Sequence, residues 1–172
     1  MTEATIISDA SVCPKSGANG YAFWAVSGRG RFCGEGSFKT AVVDTVAAEA
    51  MGAINALYCA LRAGVIATGD RVLVQVDNLA VPAVLAGAMK RKRSLARYAP
   101  LRSAFDGLSL RYSIQVRFRH VRGHSAQNTP RFAAQKLCDR AARRRMRQMR
   151  SRLAVSPQDS GSRSGTSPAE IT

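Results

Sequence analysis

The sequence predicts an α/β protein: a five-stranded mixed sheet, three strands antiparallel and two parallel, flanked by helices. Three observations predict it. Short β-branched and aromatic runs punctuated by glycine fill the first third of the chain. A helical period takes over near residue 44. From there helix-like and strand-like segments alternate, which gives a sheet with helices packed on it. At 172 residues and 46% apolar, the chain has enough material for one domain with a core.

Residues 4–9, Ala-Thr-Ile-Ile-Ser-Asp, are a β-branched run ending on a carboxylate, and Pro14, Gly17, Asn19 and Gly20 make the loop after it. Tyr21 to Val26 reads as a second strand. Ser27-Gly28-Arg29-Gly30 is a tight connection, and Arg31 to Phe38 is the return strand. From Asp44, the residues Ala47, Met51, Ile54, Tyr58 and Leu61 recur at spacings of four and three, one face of an amphipathic helix that stops at Gly64. Val72 to Val76 is a nearly continuous apolar run, as in a buried parallel strand. Leu79 to Met89 reads as a short helix with Pro82 in its first turn.

Ile114 to Val121 alternates, so it is a half-buried strand with a basic outer face, and His120 falls on the apolar side as a packed residue. Phe132 to about Leu153 is a long helix. Cys138, Ala142, Met146, Met149 and Leu153 share one face of it, and Arg140, Arg143, Arg144, Arg147 and Arg150 another, solvated or meeting phosphates. The domain is therefore expected over residues 1–153. Residues 154–172 read as a disordered tail, since 9 of the 17 residues from Ser156 are Ser, Gly or Pro.

The net charge of +15 is unevenly placed: residues 1–89 carry −1, residues 90–152 carry +17 and residues 153–172 carry −1. This excludes an acidic solvating protein. It points to a polyanionic partner, with a ribosome-like structural role or an anionic membrane surface as alternatives. No apolar run approaches the roughly 20 residues that span a bilayer, and Met1-Thr2-Glu3 lacks the basic start of a signal peptide. Cys13, Cys33, Cys59 and Cys138 form no C-x-x-C pair, so reduced thiols in a cytoplasmic, monomeric protein are expected.

Four of the 11 acidic residues stand where an acid is structurally odd. Asp9 and Asp77 each end an apolar strand, Glu49 lies among alanines early in a helix, and Asp139 lies in an arginine-crowded helix. Taken singly, each has an ordinary role: Asp9 begins a turn, Glu49 favours the helix dipole, Asp77 caps the next helix, Asp139 pairs with Arg143. Taken together, they would meet at the edge of the sheet if the strands at 4–9 and 72–76 are neighbours. Such a cluster needs cations, and hard oxygen ligands select Mg²⁺ or Mn²⁺. Two such ions side by side are a recurrent device for phosphodiester hydrolysis.

These residues carry a resemblance. Ile7-Ser8-Asp9-Ala10-Ser11, Ala48-Glu49-Ala50, Val76-Asp77-Asn78, His120-Val121-Arg122-Gly123-His124-Ser125 and Cys138-Asp139-Arg140-Ala141-Ala142 stand in the order of the ribonuclease H family, type 1. The chain resembles that family over roughly residues 4–150. The resemblance implies a ribonuclease H-like fold and an endonuclease that cuts the RNA strand of RNA–DNA hybrids with two Mg²⁺ ions, Mn²⁺ substituting. Asp9 would bridge both metals, Glu49 and Asp77 would complete one shell, and Asp139 would hold the metal that activates water. His124 would assist proton transfer or product departure. Lys90, Arg91, Lys92 and Arg93, with Arg97, match a basic protrusion that grips the DNA strand; Lys15 and Arg122 are further nucleic-acid candidates.

The chain differs from the family's usual pattern in carrying Thr45 and Val46 where minor-groove asparagines often stand, Leu79 for a glutamine, and Lys15 for a phosphate-holding Asn. Two other functions therefore stand beside the leading one. One is a nuclease of the same fold acting on another nucleic acid, such as a structured RNA or branched DNA. The other is a non-catalytic basic nucleic-acid-binding module.

Overall fold

The computed structural model describes residues 1–88, 92–121 and 130–155, with residues 92–95 described by backbone alone. Five strands form one mixed sheet in the order β3-β2-β1-β4-β5: β1 Glu3–Val12, β2 Asn19–Ser27, β3 Gly30–Gly36, β4 Arg71–Val76 and β5 Gln115–His120. β1–β2 and β2–β3 pair antiparallel; β1–β4 and β4–β5 pair parallel. The fold class predicted from the sequence is the one observed.

β1 runs further than its sequence suggests. It does not end at Asp9 but continues to Val12, pairing Asp9 with Ala22 and Val12 with Asn19. Asp9 interrupts the apolar run without interrupting the backbone ladder to β2, so the carboxylate sits inside a central strand.

Helix α1, Thr45–Arg62, starts where Asp44 Oδ1 accepts the Ala47 N–H at 2.7 Å. Its buried face corrects the sequence reading. Ala47, Ala50, Ala53, Leu57 and Ala60 go into the core, whereas Tyr58 is 49% exposed. Small side chains let the helix lie close to the sheet: a Cβ built on Gly52 would stand 3.7 Å from the Ala10 Cβ. Close backbone approach, not the size of the apolar residues, selects this face.

Two helices join α1 on the same side of the sheet: α2, Ala80–Leu85, shorter than the predicted Leu79–Met89, and α3, Lys92–Arg111. Arg97, matched in the sequence to a basic protrusion, belongs to this 20-residue helix. α3 is tied to the start of α1, since Tyr98 Oη donates to Asp44 Oδ2 at 2.7 Å and Arg97 pairs with the same carboxylate at 3.0 Å. Asp70, fully buried, fixes the entry to β4 by accepting from Arg29 and from the N–H groups of Thr2 and Ala67.

The last helix, α4 Pro130–Val155, covers the opposite face of β1 and β2, burying Cys138 and Ala142 against Ile7 and Ala22. Pro130 stands at its first position, where a missing N–H does no harm. The predicted apolar stripe holds at Cys138 and Ala142 but not at Leu153, which is 48% exposed. The helix continues two residues into the predicted tail; residues 156–172 lie outside the described residues.

Candidate active site

The site lies at the end of β4, where its parallel neighbour β1 runs on beside it. Their last register pair is Ile7 with Gln75. Two residues further along the chain stand Asp9, still inside β1, and Asp77, just past the end of β4. Glu49 reaches them from the second turn of α1, carried inward by the alanine face. One oxygen from each of Asp9, Glu49 and Asp77 lies within 4.8 Å of the others.

The carboxylates are poorly compensated. The Ala10 N–H donates to Asp9 Oδ1 at 2.8 Å and to Glu49 Oε1 at 3.3 Å. Glu49 Oε2 is buried and lacks a hydrogen-bond partner. Burial, then the Asp77 charge and more weakly the Asp139 charge, push the Asp9 carboxyl well above the usual range. Burial, then Asp9 and Asp77, push Glu49 up further. Without a cation the pair therefore shares a proton near neutral pH. An all-oxygen, acid-rich set with one orphaned buried oxygen fits a hard divalent cation.

The ordinary roles of these acids can now be compared with their surroundings. Asp77 is not the cap of α2, because Asn78 Oδ1 takes the Ala80 N–H at 2.9 Å. Glu49 is 4% exposed, not a solvated first-turn acid. Asp139 does pair with Arg143, Oδ1 to Nε at 2.7 Å, and stands outside the three-residue cluster while its charge reaches Asp9. Its neighbour Cys138 seats this turn of α4 by donating its S–H to the Ile7 carbonyl at 3.7 Å.

A cleft of about 350 Å³ opens beside the cluster, lined by Thr45, Glu49, Asp77, Asn78, Leu79 and His120. His120 corrects the sequence reading. It is exposed, not packed, and its Nε2 lies 2.9 Å from the Asp77 carbonyl oxygen, to which an N–H would donate. The strand alternation placed it on the apolar side of β5. The signal that finds it is position, since it ends a strand parallel to the one that Asp77 follows.

Among the other candidates, Lys15 is exposed in the β1–β2 turn, and the Arg97 guanidinium is engaged with Asp44 and with the Val43 carbonyl. Lys92 and Arg93 open α3 without described side chains. Lys90, Arg91, Arg122 and His124 lie outside the described residues.

No family model and no curated protein matches this sequence. Solved structures do. The N-terminal ribonuclease H domain of a Mycobacterium tuberculosis protein, determined as a fusion with maltose-binding protein, superposes with a TM-score of 0.63 at 20% identity, covering 88% of this chain and 99% of that one. Ribonuclease H1 of the halophilic archaeon Halobacterium salinarum gives 0.63 at 18% identity over 85% of this chain and 98% of its own. A ribonuclease H1 isolated from compost by a metagenomic approach, in complex with an RNA/DNA hybrid, gives 0.55 at 14% identity over 82% and 97%. At these identities the likeness is one of fold: the chain has a ribonuclease H-like fold.

Proposed function

We propose that this chain is a metal-dependent endonuclease that hydrolyses the RNA strand of RNA–DNA hybrids. The observation that carries the reading is the Asp9–Glu49–Asp77 cluster, with its orphaned Glu49 oxygen, beside the end of β4 in a ribonuclease H-like sheet. The hybrid held by the compost enzyme of the same fold supports the choice of substrate. Asp9, Glu49, Asp77 and Asp139 would hold two Mg²⁺ or Mn²⁺ ions, which when bound supply a hydroxide-like nucleophile and neutralise charge on the departing oxygen.

The chain's own groups do the rest. The Ala10 N–H holds Asp9 and Glu49 side by side, and Asn78, not Asp77, accepts the Ala80 N–H at the start of α2. His120 fixes the Asp77 backbone. His124 would move a proton or assist product departure. Lys15, Lys90, Arg91, Lys92, Arg93, Arg97 and Arg122 would bind phosphates, which position a substrate without reading its sequence.

A second reading, the same chemistry on another nucleic acid, is favoured by the cleft. Leu79 stands on its rim 69% exposed, and its side chain offers no hydrogen bond to a ribose 2′-hydroxyl.

The test is cleavage of a labelled RNA–DNA hybrid beside duplex DNA, duplex RNA and single strands, in Mg²⁺, Mn²⁺ and EDTA. Metal-dependent cutting of the RNA strand, reduced at least about 10³-fold in Asp77→Asn, is expected. Cutting of a different substrate moves the specificity to the second reading. Binding without cleavage of any substrate leaves a nucleic-acid-binding module and sinks the enzyme.

A further inference from the structure

The basic face of α4 is absorbed by none of the roles above. Lys136, Arg140, Arg143, Arg144, Arg147 and Arg150 are all exposed. At 100° per residue they fall on the side of the helix turned away from buried Gln135, Cys138 and Ala142. Asp139 borders this stripe, and from Asp139 to Arg150 the helix rises about 16 Å, with steps of roughly 4.5–6 Å along Arg140, Arg143, Arg147 and Arg150. Its far end returns to the β1–β2 turn. Arg150 lies against the Cys13 thiol, and Met149 Sδ accepts the Asn19 N–H at 3.3 Å. Lys15 is exposed in that same turn.

Within the stripe Arg143 is held by Asp139 and Arg144 by Glu35. Arg140 and Arg147 have no acidic partner among the described residues. A row of guanidinium groups this long without carboxylates to match would repel itself unless an anion lay along it.

We propose that this face of α4, with Lys15 at its end, is a rail for the sugar–phosphate backbone of a nucleic acid, extending the footprint away from the carboxylate cluster along the helix. The inference rests on the proposed function for the nature of the substrate, not for its cleavage. Nucleic acid is favoured over a membrane because the apolar face of α4 is spent on β1 and β2. A helix that lies in a bilayer interface needs that face free. It is favoured over an acidic protein because no aromatic or large aliphatic side chain is interleaved with the arginines from Arg140 to Arg150, the exposed Leu137 standing before them, and protein interfaces are anchored by such groups. A duplex rises about 3.4 Å per base pair, so the rail would engage roughly five base pairs beyond the cleft.

The experiment measures binding of a fluorescent RNA–DNA hybrid of about 20 base pairs in EDTA, across a salt series. Asp77→Asn serves as the parent, so that cleavage plays no part. The triple variant Arg140→Gln, Arg147→Gln, Arg150→Gln is compared with its all-Lys counterpart, and both with the parent for Tm.

If the rail is real, the Gln variant keeps its Tm, and the slope of log K against log salt becomes shallower by about 2–3, near 0.9 per lost phosphate contact. The Lys variant restores the slope. The parent's slope in the Gln variant at unchanged Tm overturns the proposal. So does loss of binding to vesicles of phosphatidylglycerol with hybrid binding intact, which would assign the face to a membrane. A nuclease reading that fails in the cleavage assay leaves this measurement standing, because no step in it requires turnover.

Discussion

Glu49 is the residue whose surroundings most oppose its charge. Buried beside Asp9 and facing Asp77, its carboxyl is raised, as is that of Asp9. The folded state therefore holds protons that the unfolded chain releases near pH 4. Stability from this pair is full below that value and is lost as pH rises through the elevated folded values. Asp70 acts in the opposite sense. Arg29, then the Ala67 and Thr2 amides, hold it below the usual carboxylate range, so its contribution is present above pH 4 and lost as pH falls. In EDTA, Tm should be highest in mildly acidic solution and fall toward pH 8. Mg²⁺ or Mn²⁺ should raise it selectively at the alkaline end. A Tm that ignores the cation at pH 8 would contradict the metal site.

The same repulsion makes Asp77→Asn unusual among site variants. It should abolish cleavage yet raise Tm in EDTA at pH 8 by about 2–4 °C, as expected for about 1 kcal/mol of relieved repulsion. His120 offers a separate check. It touches Asp77 through the backbone carbonyl, so His120→Ala should weaken Mn²⁺ binding about tenfold by calorimetry while leaving the fold intact. His120→Gln, which retains an N–H donor, should recover part of the loss.

At the scale of elements, Asp139 depends on how closely α4 lies on β2. A Cβ on Gly20 would meet the Ala142 carbonyl, the Met146 N at 2.6 Å and the Arg145 Cβ at 2.7 Å, all on the helix side. Gly20→Ala should therefore lift α4 off the sheet, costing about 2 kcal/mol in urea denaturation. It should also lower cleavage by displacing the turn that carries Asp139, whereas Gly107→Ala, whose Cβ meets nothing within 4 Å, should do neither.

The sequence made most of this architecture legible, because period-2 runs, a period-3.6 run and glycine breaks fall where the elements fall. It left the range of α3 unassigned, because Pro100 and a mixed polar surface hide the helical period. It misled on the face of α1, where alanines with Leu57, not Met51 and Tyr58, are buried. The three clustered carboxylates were legible because acids are costly in apolar runs. His120 was not, because its role comes from a neighbouring strand and alternation along β5 carries no trace of it.

At the scale of the whole molecule, charge and chemistry are segregated. Asp9, Glu49 and Asp77 come from the near-neutral first half, and the +17 block follows them in the chain. A divalent cation approaching the free protein climbs a positive potential to reach an acidic site. A bound nucleic acid reverses that field and adds phosphate oxygens of its own. Metal and substrate should therefore bind cooperatively, and by linkage each must tighten the other by the same factor. Calorimetric titration of Mn²⁺ into the protein, alone and with a hybrid whose RNA strand carries 2′-O-methyl groups to resist cutting, should show a dissociation constant at least about fivefold lower with the hybrid. Raising the salt should shrink the coupling, because screening removes the long-range part of the field first and leaves local carboxylate–cation contact intact. Equal affinities at low salt would mean that the cluster alone sets metal binding, and that the basic half serves only to hold the substrate.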